Sequence, residues 1–260
     1  IECLVGSEMC IRDRASIVIV PGFTNAESVM EDWGPYFASY GIVTMTIGTN
    51  SIFAQPEDRA VALLNAVNSL KLENSRITSP LYNLLDVNNI ALGGWSMGGG
   101  GAILAAGIDP SIKAIVALCP WLNLLSGENL DYNVPTLIIS GQIDVIAPPD
   151  FHADIHYELI PEETDKMKYE VGMGSHTLAT SPLSGDGDVG LIALSWLKKY
   201  LIVDHCFCPL LSVTPTSASN FMSNVNCIIQ YGCMNDLASN YNYNCLLYTP
   251  DAADDAHGVD

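Results

Sequence analysis

Ser96 stands between Gly94 and Gly98, directly after the apolar run Ile90-Ala91-Leu92 and before a glycine-, alanine- and leucine-rich stretch ending at Gly107. This is a Gly-x-Ser-x-Gly pattern in the order strand, sharp turn, helix. It lifts a serine hydroxyl clear of a sheet for nucleophilic attack. Positions 94 and 98 are small because chain approaches chain there. A serine hydroxyl is a weak nucleophile near neutrality, so it needs a general base held by a carboxylate. Around such an elbow the acid follows the serine in sequence, and the histidine follows the acid. Asp144, a few residues past Leu137-Ile138-Ile139, and His176, in Gly174-Ser175-His176, stand in that order. Asp131 reads instead as a solvated residue and Asp150 as the opening of a helix. His152 and His156 fall on a predicted helix, and His205 and His257 lie in or beside the tail. The backbone N–H groups of Met97 and Phe23 are expected to receive the oxyanion of a tetrahedral intermediate. The chemistry implied is acyl transfer, which calls for neither cofactor nor metal.

The elements that would hold these residues alternate along the chain. Ser16–Val20 is a continuous β-branched run, as in a strand buried on both faces. It ends at Pro21-Gly22-Phe23-Thr24. A helix around 31–40 leads to a second strand, Ile42–Ile47. Pro56 opens a helix to Leu72, with Glu57 and Asp58 in its first turn and Ala60, Leu63, Val67 and Leu70 on one face. Further strands are read at 90–94, 112–118, 136–140 and 168–171, with helices near 97–107, 151–160 and 189–201. Strand and helix alternation predicts an α/β fold, a mostly parallel sheet covered on both faces. Ligands of such sheets sit at the carboxyl ends of the strands, where Phe23, Ser96, Trp121 and Asp144 all fall.

The 260 residues carry a formal charge of −19, which excludes nucleic acid and anionic membrane surfaces as partners. Pro120 and Asn123 interrupt the best apolar run, so no stretch reaches membrane-span length. Past Asp204, Asn, Ser, Thr and Cys dominate. Ala218-Ser219-Asn220-Phe221 is echoed by Ala238-Ser239-Asn240-Tyr241, each soon followed by a cysteine. Cys206, Cys208, Cys227, Cys233 and Cys245 crowd this quarter, whereas Cys119 is alone in the middle and Cys3 and Cys10 open the chain. A cysteine-dense tail reads as a disulfide-stapled, extracytoplasmic extension. Zinc is the weaker alternative, for want of a histidine pair at ligand spacing. The expected organisation is therefore a catalytic unit at 15–204 and an extension with two short repeats at 205–245. The flanks 1–14 and 246–260 lack patterning and resemble translated adapter sequence.

Pro21-Gly22-Phe23-Thr24, Gly94-Trp95-Ser96-Met97-Gly98, Pro120-Trp121, Asp144-Val145-Ile146-Ala147-Pro148 and Gly174-Ser175-His176 together resemble the bacterial cutinase and poly(ethylene terephthalate) hydrolase family. The resemblance spans roughly Ser16 to Pro209. It implies an α/β-hydrolase fold with Ser96, Asp144 and His176 as catalytic triad and Phe23 and Met97 as oxyanion hole. Phe23, Trp95, Met97, Trp121, Ile146 and Thr177 would bind substrate in an open cleft, with His152 packed behind the cleft tryptophan. It implies a Cys208–Cys227 disulfide, with Cys206 a rival for the first half; Cys233 and Cys245 are also expected in disulfides, with the pairing in the tail left open. Two features depart from the family. Its first two strands have no counterpart before Ser16, which would leave Val43, Met45 and Ile47 on an open edge. The cysteine pair some members carry beside the catalytic loops is replaced near Gly141 and Ala179.

The resulting expectation is a secreted, monomeric serine esterase acting on aliphatic and aromatic polyesters. A small-ester carboxylesterase or dienelactone-hydrolase-like enzyme is the alternative, and an inactive fragment with an attachment or export tail is the alternative outside enzymes.

Overall fold

The computed structural model describes residues 13–123 and 130–227. Its centre is a seven-stranded sheet: β1 Arg14–Val20, β2 Val43–Thr46, β3 Leu85–Trp95, β4 Ala114–Leu118, β5 Thr136–Gly141, β6 Lys166–Val171 and β7 Ala218–Ser223. The spatial order is β2-β1-β3-β4-β5-β6-β7, parallel throughout except for the antiparallel β6–β7 pair. The fold is that of an α/β-hydrolase.

The continuous apolar runs follow from burial on both faces. Ile17, Ile19, Val116, Leu137 and Ile139 point to one side, where α1 (Trp33–Ala38) brings Trp33 and Phe37 and α5 (Asp188–Leu197) brings Trp196 and Leu197. Val18, Val20, Leu92, Ile115 and Ile138 point to the other. There they meet Leu63 and Val67 of α2 (Pro56–Ser75), Ala102 and Ile103 of α3 (Met97–Ile108) and Tyr157 of α4 (Ala153–Leu159). Among the described helices, none is long and apolar enough to cross a membrane.

From β1 the chain steps to β2 on one side and then returns to β3 on the other. The strand order reverses between β1 and β3, and in such sheets ligands bind outside the carboxyl ends of the strands at that reversal. Phe23 follows β1 and Ser96 follows β3, so both lie at that end of the sheet.

The structure differs from the sequence reading at its C-terminal boundary. The chain does not leave the unit at 204/205. Phe207 and Leu211 are buried in the core that holds α5, Cys206 and Cys208 are buried beside them in sequence, and the first copy of the short repeat, Ala218–Phe221, is part of β7. Its polar pattern suits an outer strand: Ser219 and Asn220 are exposed and Phe221 packs on the core. The Cys208–Cys227 disulfide closes this segment, with the Cα atoms 5.4 Å apart. Cys233, Cys245, the second repeat copy, residues 1–12 of the adapter-like flank 1–14 and the flank 246–260 lie outside the described residues, whereas Arg14 of that flank pairs with Leu85 in the sheet.

β6 begins two residues earlier than its apolar pattern suggests because two lysines are buried in it. The Lys166 ammonium donates to the carbonyls of Tyr157 and Ile160 and to Glu162, and Lys168 is paired with Asp154. Each charge is matched by a fixed acceptor, which is the condition for burying it.

At the opposite edge β2 pairs only with β1 among the described strands; Val43, Met45 and Ile47 are half-buried, and Met45 and Ile47 line a hollow between this edge and α2.

Candidate active site

The elbow forms because the backbone around Ser96 has no room for side chains. Ser96 has φ 58° and ψ −123°, a conformation that holds its side chain out from the turn between β3 and α3. A Cβ on Gly94 would lie 2.3 Å from the backbone of Gly98, and one on Gly98 would lie 2.3 Å from the Val20 carbonyl oxygen. The turn is held by Ser96 N–H donating to Leu118 O and by Ser96 O accepting from the N–H groups of Gly100 and Trp121. Left-handed backbone recurs at this rim. Thr24 after β1, Cys119 after β4 and Met173 after β6 also have positive φ, as residues held by their surroundings at functional sites often do.

Asp144 lies in the loop after β5 and His176 begins the short helical turn His176–Thr180 after β6. The His176 Nδ1–H donates to Asp144 Oδ2 at 2.7 Å, while Oδ1 accepts the N–H groups of Ile146 and Ala147, each at 2.9 Å. Burial alone would raise the Asp144 carboxyl. The hydrogen bond from His176 and those from the two backbone amides outweigh it and hold the group below its ordinary value. Asp144 is therefore an anion at neutral pH. It fixes the tautomer of His176 with the proton on Nδ1 and leaves Nε2 as the free base. Asp131 and Asp150 are both exposed.

Trp95, next to Ser96, donates its indole N–H to the His176 carbonyl at 2.9 Å, and its ring lies 5.3 Å from the imidazole. It is buried against the imidazole. Phe23 is partly exposed and edge-on to exposed Phe53, 5.6 Å away. Met97 is the first residue of α3, so its N–H has no acceptor within the helix. Among the described residues the Phe23 N–H also donates to no protein acceptor. Two amides are thus available beside Ser96. Exposed Ile146 and Thr177 flank Asp144 and His176, and half-buried Trp121 lies 5.6 Å from His152. A hollow of about 580 Å³ lined by Met45, Ile47, Asn50, Ala54 and Val61 contains none of these residues.

Sequence reasoning missed Arg59. This buried residue of α2 donates from Nε to Ala54 O at 3.0 Å, from Nη1 to Pro21 O at 2.8 Å and from Nη2 to Ile52 O at 3.2 Å. It binds the Phe23 loop and the Phe53 loop into one rim. Burial lowers its pKa, yet a guanidinium stays charged.

His152 and His156 share one acceptor, the carbonyl of Leu122, at 3.1 Å from Nδ1 and 3.3 Å from Nε2 respectively. This anchors the segment after Trp121 to α4. His156 is fully buried with Nδ1 unpartnered, and burial pushes it from 6.5 down to about 4, helped by neighbouring His152. A proton is thus taken up by the unfolded chain before the folded one. Stability is full above about pH 6.5 and is lost as pH falls towards 4, by on the order of 3 kcal/mol from this residue. Thermal unfolding between pH 7 and 4 should show a steep fall in Tm that His156→Gln flattens; equal slopes would refute the assignment.

Residues 9–228 match the family described as PET hydrolase-like. Cutinase est1 of Thermobifida alba is 34% identical over 200 residues, 77% of this chain and 65% of that protein. The bis(hydroxyethyl) terephthalate hydrolase of Streptomyces coelicolor is 34% identical over 204 residues, 75% of this chain and 61% of that protein. Lipase 1 of a Moraxella species is 34% identical over 192 residues, 74% and 57% of the two chains. The chain thus spans somewhat under two thirds of the length of these relatives. The match covers the elbow, the Asp144–His176 pair and the Phe23 loop alike, and on it the chain belongs to the PET hydrolase-like family.

Proposed function

We propose that this chain is a secreted serine esterase that hydrolyses the carboxylic ester bonds of polyesters through an acyl-serine intermediate. The observation that carries the reading is the 2.7 Å His176–Asp144 bond together with a serine on a positive-φ elbow whose neighbour Trp95 is hydrogen-bonded to the same histidine. Ser96 Oγ adds to the ester carbonyl carbon as His176 Nε2 takes its proton. The carbonyl oxygen becomes an anion received by the N–H groups of Met97 and Phe23. When the intermediate collapses, the alcohol leaves with the proton from His176. Water, deprotonated by the same nitrogen, then releases the acid and restores Ser96.

A polymeric substrate is supported by the rim. Phe23, Phe53, Val145 and Ile146 are apolar and exposed, Val145 by 88%, which suits an extended, poorly soluble chain better than a small ester. Cutinases and a terephthalate-ester hydrolase among the relatives point the same way. The Cys208–Cys227 disulfide supports an oxidising, extracellular setting. The reading predicts release of soluble acids from aliphatic polyester and poly(ethylene terephthalate) films, and none from the Ser96→Ala variant. Hydrolysis of p-nitrophenyl esters without any film hydrolysis would favour the small-ester reading instead.

Trp121 separates the two substrate classes. An aromatic contact along a polymer segment is worth ~0.5–1.5 kcal/mol, so Trp121→Ala should lower film hydrolysis by about 2- to 10-fold more than p-nitrophenyl ester hydrolysis. Equal losses on both substrates would make Trp121 a structural residue only.

A further inference from the structure

Cys119 directly follows β4 and plays no part in the mechanism above. It is 1% exposed, is in no disulfide, and has φ 41° immediately before Pro120. Left-handed backbone before a proline is unfavourable and persists only where the surroundings impose it. Here the Cys119 N–H is held by Ile139 O at 2.6 Å. The consequence is a thiol aimed at the acid–base pair: one donor atom from each of Cys119, Asp144 and His176 lies within 4.8 Å of the others.

The thiol can act there in one way. Burial, with the nearby Asp144 charge, pushes it well above its ordinary value, so it stays protonated at any pH where the site works. It is therefore a donor rather than a nucleophile. A carboxylate offers about four acceptor sites. Three are filled on Asp144, by Ile146 N–H, Ala147 N–H and His176 Nδ1–H.

We propose that Cys119 is a positioning residue whose S–H fills the remaining acceptor site of Asp144 and fixes the rotation of that carboxylate against His176. The proposal rests on the roles given to Asp144 and His176 under the proposed function. The sign of its effect follows. Taking away the S–H makes the carboxylate a stronger partner for the imidazolium, so the base stays protonated to higher pH. The other titratable group acting on this pair among the described residues is His152, before α4.

The test is the pH dependence of kcat and kcat/KM on a soluble p-nitrophenyl ester for Cys119→Ala and Cys119→Ser. Both are small enough for the left-handed backbone, which a β-branched residue would not suit. Cys119→Ala should lower kcat about fivefold with KM unchanged and move the acid limb of kcat/KM upward by about half a pH unit. Cys119→Ser keeps an O–H donor and should restore both. Wild-type kcat and pH profile in the alanine variant, or a serine variant as impaired as the alanine one, would overturn the proposal. If alanine prevents folding, the serine variant decides alone by whether it keeps the wild-type profile. A Ser96→Ala control that stayed active would instead bring down the underlying assignment of the site.

Discussion

Ser96→Ala is expected to lower esterase turnover by about 10⁶-fold while leaving the fold intact. The substitution removes one oxygen from a turn whose stability lies elsewhere. The Ser96 N–H and carbonyl bonds to Leu118, Gly100 and Trp121 are backbone bonds and survive. The Cβ that remains is the atom against which Gly22 packs closely, so no cavity opens below it. His176→Ala should cost about as much, and the double variant no more than either, because nucleophile and base act as one unit. Steady-state kinetics on a p-nitrophenyl ester, with thermal unfolding as the control, check this. Additive losses, or a Ser96→Ala enzyme with more than a thousandth of wild-type activity, would contradict it.

Asp144→Asn should reduce kcat by about 10⁴-fold. The two oxygens of Asp144 do different work. Oδ1 holds the Ile146 and Ala147 amides, and Oδ2 accepts the His176 proton. An asparagine would keep its carbonyl towards the amides and turn its NH₂ towards His176. The imidazole then has to accept at Nδ1 and carries its proton on Nε2, where it cannot receive one from Ser96. The loop is retained, so the variant should melt near the wild-type temperature. Near-native turnover would require another carboxylate, yet Asp131 and Asp150 both face solvent.

Much of this was legible in the sequence for a physical reason. The elbow is a local device: its strand, glycines and helix are contiguous, so the pattern around Ser96 carries its own geometry. Asp144 and His176 could be placed because chain order in this topology puts each on the loop after a later strand. The remainder depends on contacts between distant segments. Arg59 looks like an ordinary helix residue until its guanidinium meets carbonyls from residues 21, 52 and 54. Lys166 and Lys168 read as a strand boundary, and only their acceptors from the α4 region make them core. β7 hides in a polar, cysteine-rich stretch because an outer antiparallel strand needs few apolar residues. Trp95 entered the reading only through the family resemblance, and its hydrogen bond to the His176 carbonyl joins segments 81 residues apart. The Cys119 thiol gave no signal at all, since its neighbours lie 25 and 57 residues further along the chain.

The central claim is that Ser96 is the one activated nucleophile, and its reaction with a phosphonate ester tests this most directly. Such a reagent phosphonylates a serine only where a base removes the proton and an oxyanion site receives the phosphoryl oxygen. Incubation followed by peptide mass mapping should give a single adduct, on Ser96, with complete loss of esterase activity. No adduct should form in the His176→Ala protein. An adduct on a different serine, or full activity in a protein whose Ser96 is quantitatively modified, would contradict the account.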